Sequence, residues 1–324
     1  MEKTRILVTG GAGFIGSHLV DALLAAGREV VVLDNFATGK RENLAAHAGD
    51  PAFTLIEGDI RDFDACRRAV AGCAGVLHEA ALGSVPRSMK DPQSTLSTNV
   101  QGFVNVIEAA RQAGVKHFVY ASSSSVYGDD PRLPKREESI GSPLSPYAYS
   151  KRCNETTAAI YRRVFGFSAI GLRYFNVFGA RQDPGSAYAA VIPKFAAALI
   201  RHESPVIHGD GSASRDFTYV DNVVRANLLA LGADRAETLD QVCNIACGEA
   251  TTIRELFLAL RGALAEFDPA VASVEAEYGP ERAGDVPHSL ASIEKAERLL
   301  GYRPECRAAA GLRRAAKWYW EHLK

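Results

Sequence analysis

A tyrosine and a lysine, Tyr147 and Lys151, stand four residues apart, downstream of four consecutive serines, Ser122 to Ser125. On a helix, residues at i and i+4 share one face, so the ammonium can approach the phenol oxygen. A free phenol ionises near pH ~10, and a neighbouring positive charge favours the phenolate and lowers that value. Tyr147 then becomes a proton acceptor suited to neutral pH. A Tyr-x-x-x-Lys pair also occurs on ordinary helix surfaces, so its meaning depends on its surroundings. Upstream, Gly10, Gly13 and Gly16 have the spacing of a turn whose bare backbone can approach a pyrophosphate.

These groups need a frame, and the first half of the chain describes one. Arg5 to Thr9 is a short apolar run, followed by the glycine turn and by Ser17 to Leu24 with apolar residues at helical spacing. Glu29 to Leu33 is the next strand, ending on Asp34. A glycine triplet between a strand and a helix, with an acid closing the second strand, is the context that makes the turn a dinucleotide site. The helix N-terminus offers its N–H groups to the pyrophosphate. Asp34 would accept from the ribose hydroxyls and repel a 2′-phosphate, favouring NAD over NADP; Lys40 and Arg41 leave NADP open. Phe53–Asp59, Gly75–Ala81 and Val115–Ala121 continue as strands, the first of these ending at an acid, Asp59, that would meet the adenine edge. Alternating strands and helices predict an α/β fold, a Rossmann-type doubly wound parallel sheet, with ligands outside the strands' carboxyl ends. A smaller C-terminal α/β lobe would bind substrate. The expected division is 1–176 plus about 212–248 for the dinucleotide domain, and about 177–211 and 249–324 for the substrate lobe.

The 324 residues carry a formal net charge of −1, so no basic excess invites nucleic acid. No apolar run approaches the ~20 residues of a membrane helix, and the start lacks a signal peptide's hydrophobic core. The six cysteines are scattered, and Cys243 and Cys247 lack both C-x-x-C spacing and a second ligand pair, which argues against zinc and against a disulfide framework. The chain reads as a cytoplasmic globular protein with no metal.

The chain resembles the extended short-chain dehydrogenase/reductase family over its whole length. The resemblance is carried by Thr9-Gly10-x-x-Gly13-x-x-Gly16, Asp59, Asn99, Ser122-Ser123, Tyr147-x-x-x-Lys151 and Arg173-Tyr174-Phe175-Asn176. Further on come Arg215-Asp-Phe-Thr-Tyr-Val-Asp221 and Arg282-x-x-Asp285. It is most similar to NAD-dependent nucleotide-sugar 4-epimerases, notably bacterial enzymes acting on UDP-N-acetylhexosamines, through Ala81–Ser88, Leu144–Tyr147 and Arg181–Pro184.

The resemblance implies a mechanism. Tyr147 would take the C4 hydroxyl proton while C4 gives hydride to bound NAD. Lys151 would hold the cofactor ribose, and Ser123, with Ser124 sharing the role, would relay the proton. The 4-keto sugar would rotate and take the hydride back on its other face, leaving NAD oxidised and tightly bound. The cofactor is expected against Gly10, Gly13, Phe14, Ile15, Gly16, Asp34, Asn35, Gly39, Asp59, Ile60, Ala80 and Ala81. Asn99, Ser122, Tyr147, Lys151, Tyr174 and Val177 complete that set. The UDP-sugar is expected against Gly83, Ser84, Ser88, Ser123, Tyr147, Asn176, Gln182 and Ala190. Val191, Lys194, Val206, His208, Arg215, Arg282, Asp285 and Ser289 would complete it, with the two arginines on the diphosphate.

Related 4,6-dehydratases and decarboxylases carry acids in the serine loop, because dehydration needs an acid and a carboxylate base there. Ser123, Ser124 and Ser125 cannot serve so, which excludes dehydration. Gly83 and Ser289 replace bulkier residues of hexose-only enzymes and would leave room for a 2-acetamido group. UDP-N-acetylglucosamine, with its galacto epimer, is the first expected substrate, and UDP-glucose/UDP-galactose the second. UDP-N-acetylglucosaminuronate epimerisation and an NAD(P)-dependent nucleotide-sugar reductase stay open. Glu79 is read as touching no catalytic role, and Ala291–Lys324 as a helical tail. The helices beginning near Asn99 and Tyr147 are expected to pair in a homodimer.

Overall fold

The computed structural model describes residues 4–183, 190–281 and 287–323. Six short strands, β1 (Arg5–Thr9), β2 (Glu29–Asp34), β3 (Phe53–Glu57), β4 (Gly75–His78), β5 (His117–Ser123) and β6 (Ile170–Tyr174), join a seventh at Val242–Ile245. They pair in parallel throughout, in the spatial order β3, β2, β1, β4, β5, β6 and the seventh strand. The chain reverses its direction of winding between β1 and β4. Their loops therefore diverge and leave a crevice, where doubly wound sheets bind ligands.

Eleven helices accompany the strands among the described residues. In the first half these are α1 (Phe14–Ala25), α2 (Phe63–Val70), the short α3 (Val85–Lys90) and α4 (Pro92–Leu96), α5 (Gly102–Gln112) and α6 (Pro146–Phe165). In the second half they are α7 (Val191–Ile200), α8 (Val220–Leu231), α9 (Ile253–Ala265), α10 (Glu294–Leu300) and α11 (Ala308–His322).

Strand side chains alternate between two cores, as the pleat requires. Ile6 and Val8 pack with Leu19, Val20 and Leu23 of α1 and with Val223 and Ala226 of α8. Leu7 enters the opposite core with Ala65 of α2, Phe103 and Val106 of α5 and Ala158 of α6. Both faces are covered, which is why these strands are continuously apolar. A third core joins Phe195 and Leu199 of α7, Leu256 and Leu260 of α9, and Leu312 and Tyr319 of α11.

Three element boundaries differ from the sequence expectation. β3 stops at Glu57, leaving Asp59 in the following loop, and β4 stops at His78, leaving Glu79, Ala80 and Ala81 beyond the sheet. β5 starts at His117 and runs into the serines, which then tighten into a 3-10 turn at Ser124–Tyr127. The C-terminal tail is two helices: Gly301, at φ +66, ends α10 in the left-handed conformation, and Pro304 follows before α11. Among the described residues no helix is long and apolar enough to cross a membrane.

Candidate active site

At the carboxyl ends of β1, β2 and β4 lies a cavity of about 450 Å³. Gly10, Gly13, Phe14, Ile15 and Gly16 line one wall, Asp34, Asn35 and Ile60 the far end, and Ala80, Ala81 and Gly83 the floor. The glycine turn is packed against itself. A Cβ on Gly16 would lie 2.1 Å from the Gly10 carbonyl oxygen, and one on Gly10, at φ +70, 2.8 Å from the Ala80 backbone. Asp34 holds the turn by accepting from the Ala12 amide (2.9 Å) and its own loop by accepting from the Phe36 amide (2.8 Å). Burial raises the Asp34 carboxyl above its ordinary value, against those two hydrogen bonds.

Several expected cofactor residues act one step back from this cavity. Asp59 binds Asn35 Nδ2 (2.8 Å) and the Arg61 guanidinium (Nη2 2.6 Å), which hold its carboxyl down at about 2. Arg61, absent from the sequence expectation, lines the cavity with Thr38 and Leu82. Gly39 abuts Ala12, where a Cβ would come within 2.8 Å. Asn99, in a π-helical turn at Ser97–Gln101, accepts from the Leu82 amide (2.8 Å) and donates to Ser150 Oγ (3.1 Å), clipping the cavity floor to α6. Ser122 turns its hydroxyl away, donating to Glu155 Oε1 (2.6 Å).

Tyr147 and Lys151 lie on α6. Ser145 caps that helix by accepting from the Ala148 amide (3.1 Å), Pro146 opens it, and Gly166 closes it at φ +67. Lys151 is buried and donates to the carbonyl of Ala121 at 2.7 Å. Ser123 accepts from the Ser125 amide (3.2 Å) and lies close enough to the Tyr147 phenol to favour its ionisation. Ser124 stands next in the 3-10 turn, half-buried. In this structure Tyr147 lies above the ordinary phenol value, contrary to the expectation from its spacing with Lys151. Burial raises it first, the Ser123 hydrogen bond pulls it down, and the Glu79 charge raises it again. Burial lowers Lys151 to about 8 against the pull of Glu79 and Glu155.

A second cavity, about 520 Å³, opens beside the third core. Asn176, Val177, Gln182, Ala190 and Val191 line it, with Lys194, Val206, His208 and Arg215. Val177, expected on the cofactor, belongs here. Phe178, Phe195, Phe217 and Ile253 supply apolar walls that no local spacing pattern had marked. Asn176 holds an unusual φ of +37 for a non-glycine residue, with its amide donating to the Asp216 carbonyl (3.0 Å). Arg215 is aimed by donating to the carbonyls of Ser214 (2.9 Å) and Pro287 (3.1 Å). His208 Nδ1 meets the Pro280 carbonyl at 3.0 Å. Ser84 and Ser88 are committed to α3: Ser84 Oγ caps it from the Arg87 amide (3.1 Å), and the buried Ser88 donates to the Val85 carbonyl (2.7 Å). Ser289 donates its amide to the Ser214 carbonyl (3.0 Å). Arg282 and Asp285 lie outside the described residues.

A family model for the NAD dependent epimerase/dehydratase family matches residues 6–246. The chain belongs to this family. A UDP-glucose 4-epimerase of Mycolicibacterium smegmatis is 38% identical over 317 residues, covering 97% of this chain and 98% of the relative. Among solved structures, a UDP-N-acetylglucosamine 4-epimerase from Methanobrevibacter ruminantium M1, in complex with UDP-N-acetylmuramic acid, superposes with a TM-score of 0.92 at 38% identity and 99% coverage of both chains. A UDP-glucuronic acid 4-epimerase from Bacillus cereus, in complex with UDP-glucuronic acid and NAD, gives 0.87 at 30% identity, covering 98% of this chain and 99% of that one.

The cavity fits the cofactor of the NAD dependent epimerase/dehydratase family. Its glycine wall admits no side chain, and Asp34 closes the end where a ribose would lie. The two cations that left NADP open are engaged elsewhere. Arg41 pairs with Glu57 and stacks 4.0 Å over Phe36, and Lys40 stands 3.8 Å from both Glu42 and Asp183. Glu79, set aside in the sequence, borders the same cavity and accepts from the Tyr174 hydroxyl (2.7 Å).

Proposed function

We propose that the protein is a UDP-sugar 4-epimerase whose principal pair is UDP-N-acetylglucosamine and UDP-N-acetylgalactosamine, interconverted through a 4-keto sugar. The observation that supports this reading is the approach of Ser123 to the buried Tyr147 phenol, close enough to lower its ionisation, with Ser124 and Ser125 where a dehydratase needs acids.

NAD, when bound, supplies the acceptor and then the donor of the C4 hydride. The chain's own residues do the rest. Tyr147 takes the O4 proton and returns it to the other epimer. Ser123 hydrogen-bonds the same oxygen and passes the proton along the short path from the sugar to the phenol. Lys151, pinned to Ala121, would hold a positive charge for the cofactor ribose. Asn176 and Arg215 anchor the diphosphate, leaving the keto sugar to turn about its linkage. Val206 and His208 wall the uridine side. The net reaction leaves the dinucleotide oxidised, so it stays bound between turnovers. Acceptance of the acetamido group would rest on Gly83, which borders the first cavity and where a side chain would meet nothing within 4 Å beyond its chain neighbours.

The test is incubation of purified protein with UDP-N-acetylglucosamine, no cofactor added, followed by proton NMR. The galacto epimer appears if the reading holds. Turnover only of plain or uronate sugars would overturn the substrate choice, and no epimer from any of them would overturn the reaction.

A further inference from the structure

Glu79 places a carboxyl in a cavity floor that is otherwise small and apolar. Its amide donates to the Thr9 carbonyl (3.1 Å), fixing it at the mouth of β4 beside β1. From β6, the Tyr174 hydroxyl donates to Oε1 at 2.7 Å; from α8, Asn227 Nδ2 donates to that hydroxyl at 2.8 Å. From α6, the Lys151 charge acts on it, and its own charge acts on Lys151 and on the Tyr147 phenol. The neighbouring His78 turns its ring to Thr9 Oγ1 (2.8 Å), and burial keeps it neutral. The hydrogen-bond partner of the Glu79 side chain is thus a neutral phenol, while the Lys151 ammonium is tied to Ala121. A negative charge on Glu79 therefore reaches the cavity, offset in part by the Lys151 ammonium.

We propose that Glu79 is a positioning residue for redox balance, its carboxylate favouring the oxidised, cationic ring of the bound dinucleotide over the neutral reduced one. This rests on the reading that NAD lies in the cavity with its reactive ring beside Tyr147. The hydride arriving from the sugar removes the ring's positive charge, so Glu79 resists that step and favours its reversal. The keto sugar is then reduced again rather than lost from a reduced enzyme. Burial raises the Glu79 carboxyl to about 7, opposed by the Tyr174 hydrogen bond and by Lys151, so the charge is present above neutrality and withdrawn below it.

The test uses purified holoenzyme, with NAD content read by chromatography after denaturation. Wild type, Glu79→Gln and Tyr174→Phe are equilibrated with a redox dye, and the bound NADH-to-NAD ratio is compared with that of the free couple at each pH. For wild type the ratio should rise about tenfold between about pH 8 and about pH 6 as Glu79 gains its proton. Glu79→Gln keeps an acceptor for Tyr174 but no charge, so its ratio should be flat and about tenfold above wild type at the alkaline end. Tyr174→Phe removes the hydrogen bond that holds Glu79 down, so its step should move to higher pH. A merely structural role makes the two variants alike. A flat wild-type profile, or a Glu79→Gln ratio within about twofold of wild type, overturns the proposal. A wild-type protein that neither carries nor takes up NAD fails the functional reading itself, and the proposal with it.

Discussion

Lys151 donates to the carbonyl oxygen of Ala121 over 2.7 Å, joining the middle of the long helix α6 to the end of β5. That bond places Tyr147, one turn earlier, against Ser123, two residues further along the strand. The proposed proton path is thus assembled by the meeting of two elements, α6 and β5.

Replacing Tyr147 by Phe should lower kcat by about 10²- to 10⁴-fold, the usual worth of a positioned acid–base group. UDP-sugar affinity measured by calorimetry should stay within a few fold. Retained turnover would remove the phenol from the mechanism.

Ser123→Ala should shift the acid limb of the kcat–pH profile to more alkaline pH. The Ser123 hydrogen bond lowers the Tyr147 value, so its loss raises it and less phenolate is present at a given pH. An unmoved limb with only a uniform drop in rate would assign Ser123 to substrate placement.

Gly83→Leu should leave folding intact, because no positive φ or crowding opposes a side chain there. It should reduce kcat/KM for the acetylated pair about tenfold or more relative to UDP-glucose, consistent with ~1–3 kcal/mol for overfilling a pocket. Equal losses on both substrates would place the acetamido group elsewhere.

Glu155→Ala should cost about 3–5 kcal/mol in urea unfolding, because it strands the buried Arg173 guanidinium. Arg173 now gives Nε at 2.8 Å and Nη2 at 2.9 Å to Glu155, and both side chains are almost fully enclosed. Glu155→Ala with Arg173→Met should recover much of that loss, and failure to recover would show that the pair itself stabilises.

The outer face of α6 carries exposed Ile160, Val164 and Phe165. We propose that it pairs with a second copy, so light scattering at micromolar concentration should give twice the chain mass, and Val164→Glu should halve it. A monomeric wild type would leave that face unexplained.

Much of this site could be read in the sequence because local pattern controls it. The apolar runs, the glycine turn, Asp34 and the helical spacing of Tyr147 and Lys151 follow from short-range geometry, and the glycine turn and Asp34 line a cavity where a doubly wound sheet binds its ligands. What could not be read is where polar side chains turn once their elements meet. Ser122 looks like Ser123 in the chain, yet one faces Glu155 and the other Tyr147. Asn99 spends its amide on Leu82 and Ser150, partners distant in sequence. Glu79 was set aside because its partners, Tyr174 and Asn227, lie far along the chain, although a charge directly after an apolar strand was a usable clue.

The two ends of one cavity differ in how much change they can absorb. At Gly16 any side chain would strike the Gly10 carbonyl at 2.1 Å, whereas at Gly83 it would meet open space. Drift in sequence therefore has an all-or-nothing consequence in the glycine turn and a graded one at Gly83. On the proposed reading, such a scaffold tries new sugars one methyl group at a time while its redox partner stays the same.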